Sequence, residues 1–370
     1  MAKTKEELLG QIVSGHQAVF GNKFNLGASM TVSPAVVQRT EEKLRKTYSF
    51  LGLITSSPTE DSFGEIMSLA DSVSVGQRTV TPNYNDLRRP VNVGGFTGRQ
   101  YKVEELELDV KVPWDSVNKW GMQSSNVFDL YRSHILRSRA ASRLRIGFYG
   151  QCENAVTNTN LATYTMMEDV AKGWLQYMIE HRPEAVFGIT VSDTAKGYDI
   201  NPINVGDGGE FSSMAQLVDY IKTKFIERIY RADTGIRAIC GDSLVTVDIN
   251  KLLNNAGNTP TERNATEMLM AISTIAKMPA IVPDEMPERG LIITNPANLE
   301  YIYQIQSVER MIENSHEYKG IVDYLYQKVD FVIKAVEGCA MVHPDAIRFK
   351  NETTGDWEAA TDTWAINPVV

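Results

Sequence analysis

A chain of 370 residues with 43% hydrophobic content is long enough to bury two or three packing units. Its 37 Lys and Arg stand against 46 Asp and Glu, a formal net charge of -9, which excludes a surface that grips nucleic acid all over and leaves room only for a local basic face. Cys152, Cys240 and Cys339 are odd in number and have no CxxC spacing, so they read as reduced structural thiols; no apolar run is long enough to span a bilayer, and the polar segment from Met1 to Gly10 does not read as a secretory signal.

Thr4-Lys5-Glu6-Glu7 predicts a capping box, with Leu8, Leu9, Ile12, Val13, Val19 and Phe20 following at helical spacing. A Gly-, Asn- and Ser-rich stretch from Gly21 to Ser33 separates that helix from a second one, opened by Pro34 and running over about 35–50. From Phe63 to Gln100 large apolar residues are scarce, and the segment is too long for an ordinary connection. Leu106, Leu108, Val110 and Val112 alternate with charged residues at period two, so the stretch reads as a long hairpin whose return limb is a stiff strand.

The longest helical signal covers about 126–148, where Val127, Leu130, Tyr131, Ile135, Leu144 and Phe148 recur at threes and fours. Arg132, Arg137, Arg139, Arg143 and Arg145 fill much of the remainder, and no acid lies between Asp129 and Glu153. That face is either solvated and ion-paired or turned toward phosphates. Further helices are expected over about 167–180 and from Ser212 or Ser213 to about Tyr230, with a hairpin between them at 185–205. Beyond Thr234 short strands and helices alternate: strands at 236–240, 291–294, 328–336 and 339–342, helices at 243–253 and 261–276, and a helical turn at 296–302.

Catalytic signatures are missing from the sequence. His16, His134, His181, His316 and His343 are never within four residues of one another, and the single ExxH pair, Glu313 and His316, reads as a solvated helix face. Gly206-Asp207-Gly208-Gly209 precedes a helix but lacks the GK[ST] of a phosphate loop. Cys240 ends an apolar strand and reads as a small core residue. No catalytic residue, metal site or cofactor is expected.

Several segments in one order carry a resemblance. They are Thr31-Val32-Ser33-Pro34, Asp169-Val170-Ala171-Lys172-Gly173-Trp174-Leu175-Gln176, Met278-Pro279-Ala280-Ile281-Val282-Pro283, Leu291-Ile292-Ile293-Thr294, Val329-Asp330-Phe331-Val332 and Gly338-Cys339. Over about 24–342 the chain resembles the major capsid proteins of P2-like tailed bacteriophages. The resemblance implies an α+β, HK97-like capsid fold: an N-terminal arm over 1–60, an E-loop over 61–112, a P-domain with a long spine helix over 113–232, an A-domain over 233–325, and a return to the P-domain with a C-terminal tail over 326–370.

It also implies a coat protein that assembles with itself, as pentamers and hexamers, into an icosahedral shell in the bacterial host cytoplasm. The implied partners are a scaffolding protein, a maturation protease, a portal protein and packaged double-stranded DNA held non-specifically; the implied destination is the virion, with no membrane. Arg89, Gly94, Gly95, Gly98 and Arg99 at the hairpin tip become candidate inter-subunit contacts. Arg137, Arg139 and Arg143 become a candidate interior basic face, and Met30-Thr31 a candidate maturation cleavage. The hairpin and the tail after Pro344 depart from the family pattern. An encapsulin-type compartment shell and a soluble α+β enzyme are the alternative readings.

Overall fold

The structure is a computed structural model, and it describes residues 4–21, 24–66, 76, 98–123, 126–154, 157, 164–191, 197–245, 274–351, 354–360 and 364. Two sheets organise it, and the strands of the smaller one send side chains into both of the largest buried clusters.

The larger sheet has seven strands built around one long strand, Gly320–Ile333. One edge of that strand pairs antiparallel with Glu309–Ser315 and then with Leu299–Gln304; the other pairs with Val110–Pro113 and then with Glu104–Glu107. Thr55–Thr59 adds to Leu299–Gln304 in parallel, and the two-residue strand Met30–Thr31 closes the far side against Glu309–Ser315. Across this sheet lies the long helix Val127–Tyr149, started by Asn126, whose side chain accepts from the Asp129 N–H. Tyr131, Ile135, Leu144 and Ile146 are buried from it, as the threes-and-fours spacing requires.

The smaller sheet has six strands in the order Thr274–Ile275, Met278–Ile281, Arg237–Cys240, Leu291–Thr294, Ala340–Val342, Val186–Phe187. Helix Met214–Phe225, capped by the Ser213 hydroxyl, buries Leu217, Val218 and Ile221 in the same cluster as Ala238, Cys240, Leu291 and Ile293. Cys240 is therefore a core residue, with burial pushing its thiol up to about 12.

The long helix and the segment that follows it cross where three glycines let backbones touch. A Cβ on Gly173 would sit 2.5 Å from the Gly147 carbonyl oxygen, one on Gly150 would sit 2.1 Å from that of Ala171, and one on Gly147 would strike the Trp174 ring. Trp174, fully buried, packs edge-on against Phe148 and Phe331. The Asp169–Gln176 motif is thus the sequence of a close crossing between the long helix and the next one, Trp174–His181.

The tail is tied in by Trp364, also fully buried. Its indole N–H donates to the Phe148 carbonyl at 2.9 Å and its backbone N–H to Asp345 at 2.8 Å, and its ring meets His343 edge-on at 5.1 Å.

Several expectations need correcting. The period-two strand over 106–112 is not the return limb of the projecting hairpin: it belongs to the body, because Leu106 and Val112 turn into the cores under the long strand. The hairpin leaves the body earlier, where Phe63–Glu65 pairs antiparallel with Gln100–Lys102. The helix expected from about Met167 begins only at Trp174, since Met167 holds a positive φ of 66° and Gly173 is pinned at the crossing. Most of the helix expected over 261–276 lies outside the described residues, but Thr274–Ile275 is a strand. It turns back through Ala276 and Lys277, both at positive φ, onto Met278–Ile281. The turn at 296–302 is helical only over Pro296–Asn298, after which Leu299–Gln304 extends into the large sheet.

The domain boundaries shift accordingly. Residues 299–325 belong with the long helix rather than with the small sheet, and helix Met214–Phe225 belongs with the small sheet. The N-terminal segment is seated on the body: the Thr4–Glu7 capping box forms as expected, and Leu8 and Ile12 bury against Val117, Val127 and Tyr131.

Candidate functional site

The base of the projecting hairpin is built from short contacts onto the end of the long strand. The Arg99 guanidinium donates to the carbonyls of Ile333 and Lys334, at 3.4 and 2.7 Å. The Lys102 backbone N–H donates to the Asp330 carboxylate at 3.0 Å. The Tyr101 ring lies over Gly64, where a side chain would collide, and its hydroxyl meets Thr59 at 2.9 Å. Phe63 stands 73% exposed beside this base. Arg99, expected at an intersubunit tip, is thus an anchor to the chain's own body, because its guanidinium supplies the donors that two strand-end carbonyls need. Gly98 precedes it at φ 65°, a conformation that suits glycine. Arg89, Gly94 and Gly95 lie outside the described residues.

Asp330 carries the unusual electrostatics of this base. Burial raises its pKa to about 7, with Glu153 and Glu104 adding to the rise, while the N–H groups of Lys102 and Phe331 work the other way.

The arginine-rich helix turns out to be internally paired. Arg139, 4% exposed, donates to the Asp323 carboxylate at 3.0 Å and through Nε to the Leu108 carbonyl at 3.0 Å. Arg310 takes the same carboxylate in a fork at 2.8 and 2.5 Å. Burial alone would raise the Asp323 pKa, yet Arg139 and Arg310 hold it well below the usual carboxylate range. Arg143, 3% exposed, makes a bidentate pair with Glu41 of helix Pro34–Arg45 at 2.5 and 2.7 Å, donates to Gln327 at 3.0 Å and stacks on Tyr301. Arg145 pairs with Glu285 at 2.6 Å. Arg139 and Arg143 therefore cannot form a basic face toward DNA, because a guanidinium sealed inside its own subunit and spent on a carboxylate has no charge to offer. Of the three proposed residues only Arg137 is exposed. The acids that satisfy the helix are far away in sequence, which is why an acid-free stretch looked unpaired.

Met30 and Thr31 sit opposite Arg310 and Glu309 at the margin of the large sheet, and the stretch 25–29 just before them is exposed. Among the described residues no group of three or more His, Cys, Asp or Glu side chains could hold a metal ion, and no helix is long and apolar enough to cross a membrane.

A long helix laid across a sheet, a second smaller sheet, an anchored hairpin base and a seated N-terminal helix together fit a phage major capsid protein of the HK97-like fold. Residues 10–344 match the family described as "Phage major capsid protein, P2 family", and the chain belongs to that family. It is 24% identical over 313 residues to the "Capsid proteins" of Escherichia phage P2, covering 84% of this chain and 85% of that one. It is likewise 24% identical over 335 residues to the major capsid protein of Serratia phage KSP20, covering 89% and 92%. A solved structure, the satellite phage P4 procapsid including size determination (Sid) protein, superposes with a TM-score of 0.72 at 20% identity over 94% of this chain and 99% of that one. The protein is a structural component of a virion, working by assembly into a multimeric shell.

Two expectations follow from the buried carboxylates. Asp323→Asn leaves two guanidiniums in the core without their counter-charge and should cost on the order of 3–5 kcal/mol in urea-induced unfolding. Asp330 has the opposite sign. Its folded-state pKa of about 7 lies above the ordinary value of 3.8, so its contribution is most favourable below about pH 4 and is lost as pH rises to about 7. The melting temperature of Asp330→Asn relative to the parent should therefore climb between pH 4 and 8; a constant difference would show that Asp330 ionises normally.

Proposed function

We propose that this chain forms hollow icosahedral shells of pentamers and hexamers around double-stranded DNA. It does so in the host cytoplasm, with a scaffolding protein, a portal protein and a maturation protease, and without catalytic activity of its own. The observation that carries this reading is the hairpin. Its two limbs pair at a base tied to the body by Arg99 and Asp330, and the sequence between the limbs runs for about thirty residues with few large apolar side chains. A segment anchored at its root and poor in large apolar residues is suited to bind a neighbour. Modest contacts of that kind, repeated under closed symmetry, make a stable shell.

Co-expression with the scaffolding partner should give closed shells by negative-stain electron microscopy. Deleting residues 89–97, which keeps the Arg99 anchor, should leave a chain with parental circular dichroism that sediments as small oligomers. Normal shells from the shortened chain would remove the hairpin from the assembly mechanism.

The N-terminal segment is the proposed target of the maturation protease, with the cut at Met30-Thr31. The exposed stretch 25–29 gives access. The cut bond itself lies in a two-residue marginal strand, so it must peel away from Glu309–Arg310 to be cleaved. Intact mass spectrometry of DNA-filled particles should show a chain starting at Thr31; a full-length mass would make the N-terminal helix a permanent part of the shell.

A further inference from the structure

We propose that the cavity beneath the N-terminal helix is a binding site for a small carboxylate anion, of the size of acetate. The cavity, of about 50 Å³, lies between helix Lys5–Phe20, helix Pro34–Arg45, the long helix and the large sheet. A water needs about 10–15 Å³ of such space, so the volume suits a molecule of a few heavy atoms.

Its charge is unbalanced. Arg132, Arg139, Arg143 and Arg310 all line it, whereas Glu41 is the carboxylate in its wall. Asp323, behind the wall, is shared between Arg139 and Arg310, and Glu41 is held by Arg143. Four guanidiniums against two carboxylates leave an excess of two positive charges. Arg132 is the unspent one: it feels Asp129 through space but makes no ion-pair contact among the described residues.

Two buried donor groups facing this space also want a partner. His16 is 2% exposed, lines the cavity, and has neither ring nitrogen hydrogen-bonded; the Arg143 Nε–H is likewise buried and unpartnered. Four aromatic rings, from Phe20, Phe24, Phe128 and Tyr131, surround the imidazole, and burial together with Arg310 holds it neutral. A neutral imidazole keeps one N–H to donate, and an unmade bond to a buried donor is costly.

A carboxylate in the cavity can meet the Arg132 charge and the His16 donor, both in its wall; Arg143 lies further along the long helix. The remaining wall, with Val37, Leu44 and Leu136, is apolar. It favours a monoanion with a methyl end over a fully hydrated dianion such as phosphate. Because His16 belongs to the N-terminal helix and Arg132 to the long helix, an anion here ties the one to the other. Occupancy therefore controls how firmly the N-terminal segment is seated.

The test uses the purified full-length chain, titrated with sodium acetate, sodium chloride or sodium phosphate at matched ionic strength. Thermal unfolding is followed together with amide hydrogen exchange. Acetate should raise the melting temperature saturably over chloride and slow exchange in residues 5–20 by roughly tenfold. The acetate-specific increment should vanish in Arg132→Gln, which removes the charge, and in Leu136→Phe, which fills the space. Indistinguishable acetate and chloride curves would overturn the site. So would an undiminished acetate increment in both variants, and a larger saturable effect from phosphate would overturn its assignment to carboxylates.

Discussion

Asp323 is the point at which the subunit is held together. It sits on the long strand with no exposed surface, and its two oxygens receive Arg139 from the long helix and Arg310 from the neighbouring strand, with the Tyr131 hydroxyl at 3.4 Å. A carboxylate so placed would be intolerable alone, because burial strips its hydration; the forked Arg310 and the single contact from Arg139 make it tolerable and at the same time fix the register of helix on sheet. The second buried pair, Arg143 with Glu41, repeats the device one helical turn further along and brings in helix Pro34–Arg45. The face of the long helix that carries Arg139 and Arg143 is thus a docking face, with Ala140 and Leu144 buried beside them.

Much of this was legible in the sequence, and the parts that were not share a cause. Thr4 and Glu7 announce a helix start through atoms three residues apart, and the Val127–Phe148 spacing announces a buried helix face; both are local signals and both appear in the fold. The partners of Arg139 and Arg143 lie 184 and 102 residues away, so no window on the helix could reveal them. The alternation over 106–112 reads as the return limb of a hairpin, whereas the structure makes of it two strands, Glu104–Glu107 and Val110–Pro113, in the large sheet. Alternation reports which face is buried but not against what. Arg99 was read as a tip residue from its place beside glycines, and the two carbonyls it satisfies belong to a strand end more than 230 residues on. The resemblance to the family supplied the topology that local patterns could not, and the glycine contacts give its Lys172-Gly173-Trp174 motif a physical meaning: a helix crossing that admits no Cβ.

The division of labour between the two sheets also has a simple physical basis. The large sheet gathers strands from all along the chain, from Met30 to Ile333, and mixes buried ion pairs with aromatics. The small sheet is nearly all aliphatic around Ala238, Leu291, Ile293 and Ala340. Polar pairs specify one arrangement of helix on strand, whereas an aliphatic interface tolerates small adjustments in packing.

The long strand has a mechanical consequence. Fourteen residues at about 3.3 Å each make a rod of roughly 46 Å, hydrogen-bonded along both edges. The hairpin is riveted to one end of it through Asp330 and the carbonyls of Ile333 and Lys334, and Asp323 grips it near the other. A pull on the hairpin directed along that rod loads its backbone bonds in shear, so they share the force and none is peeled first. The same pull directed across the sheet would open the ladder one rung at a time. The subunit is accordingly stiff along one axis and compliant across it, a grain like that of timber set by the direction of a single strand.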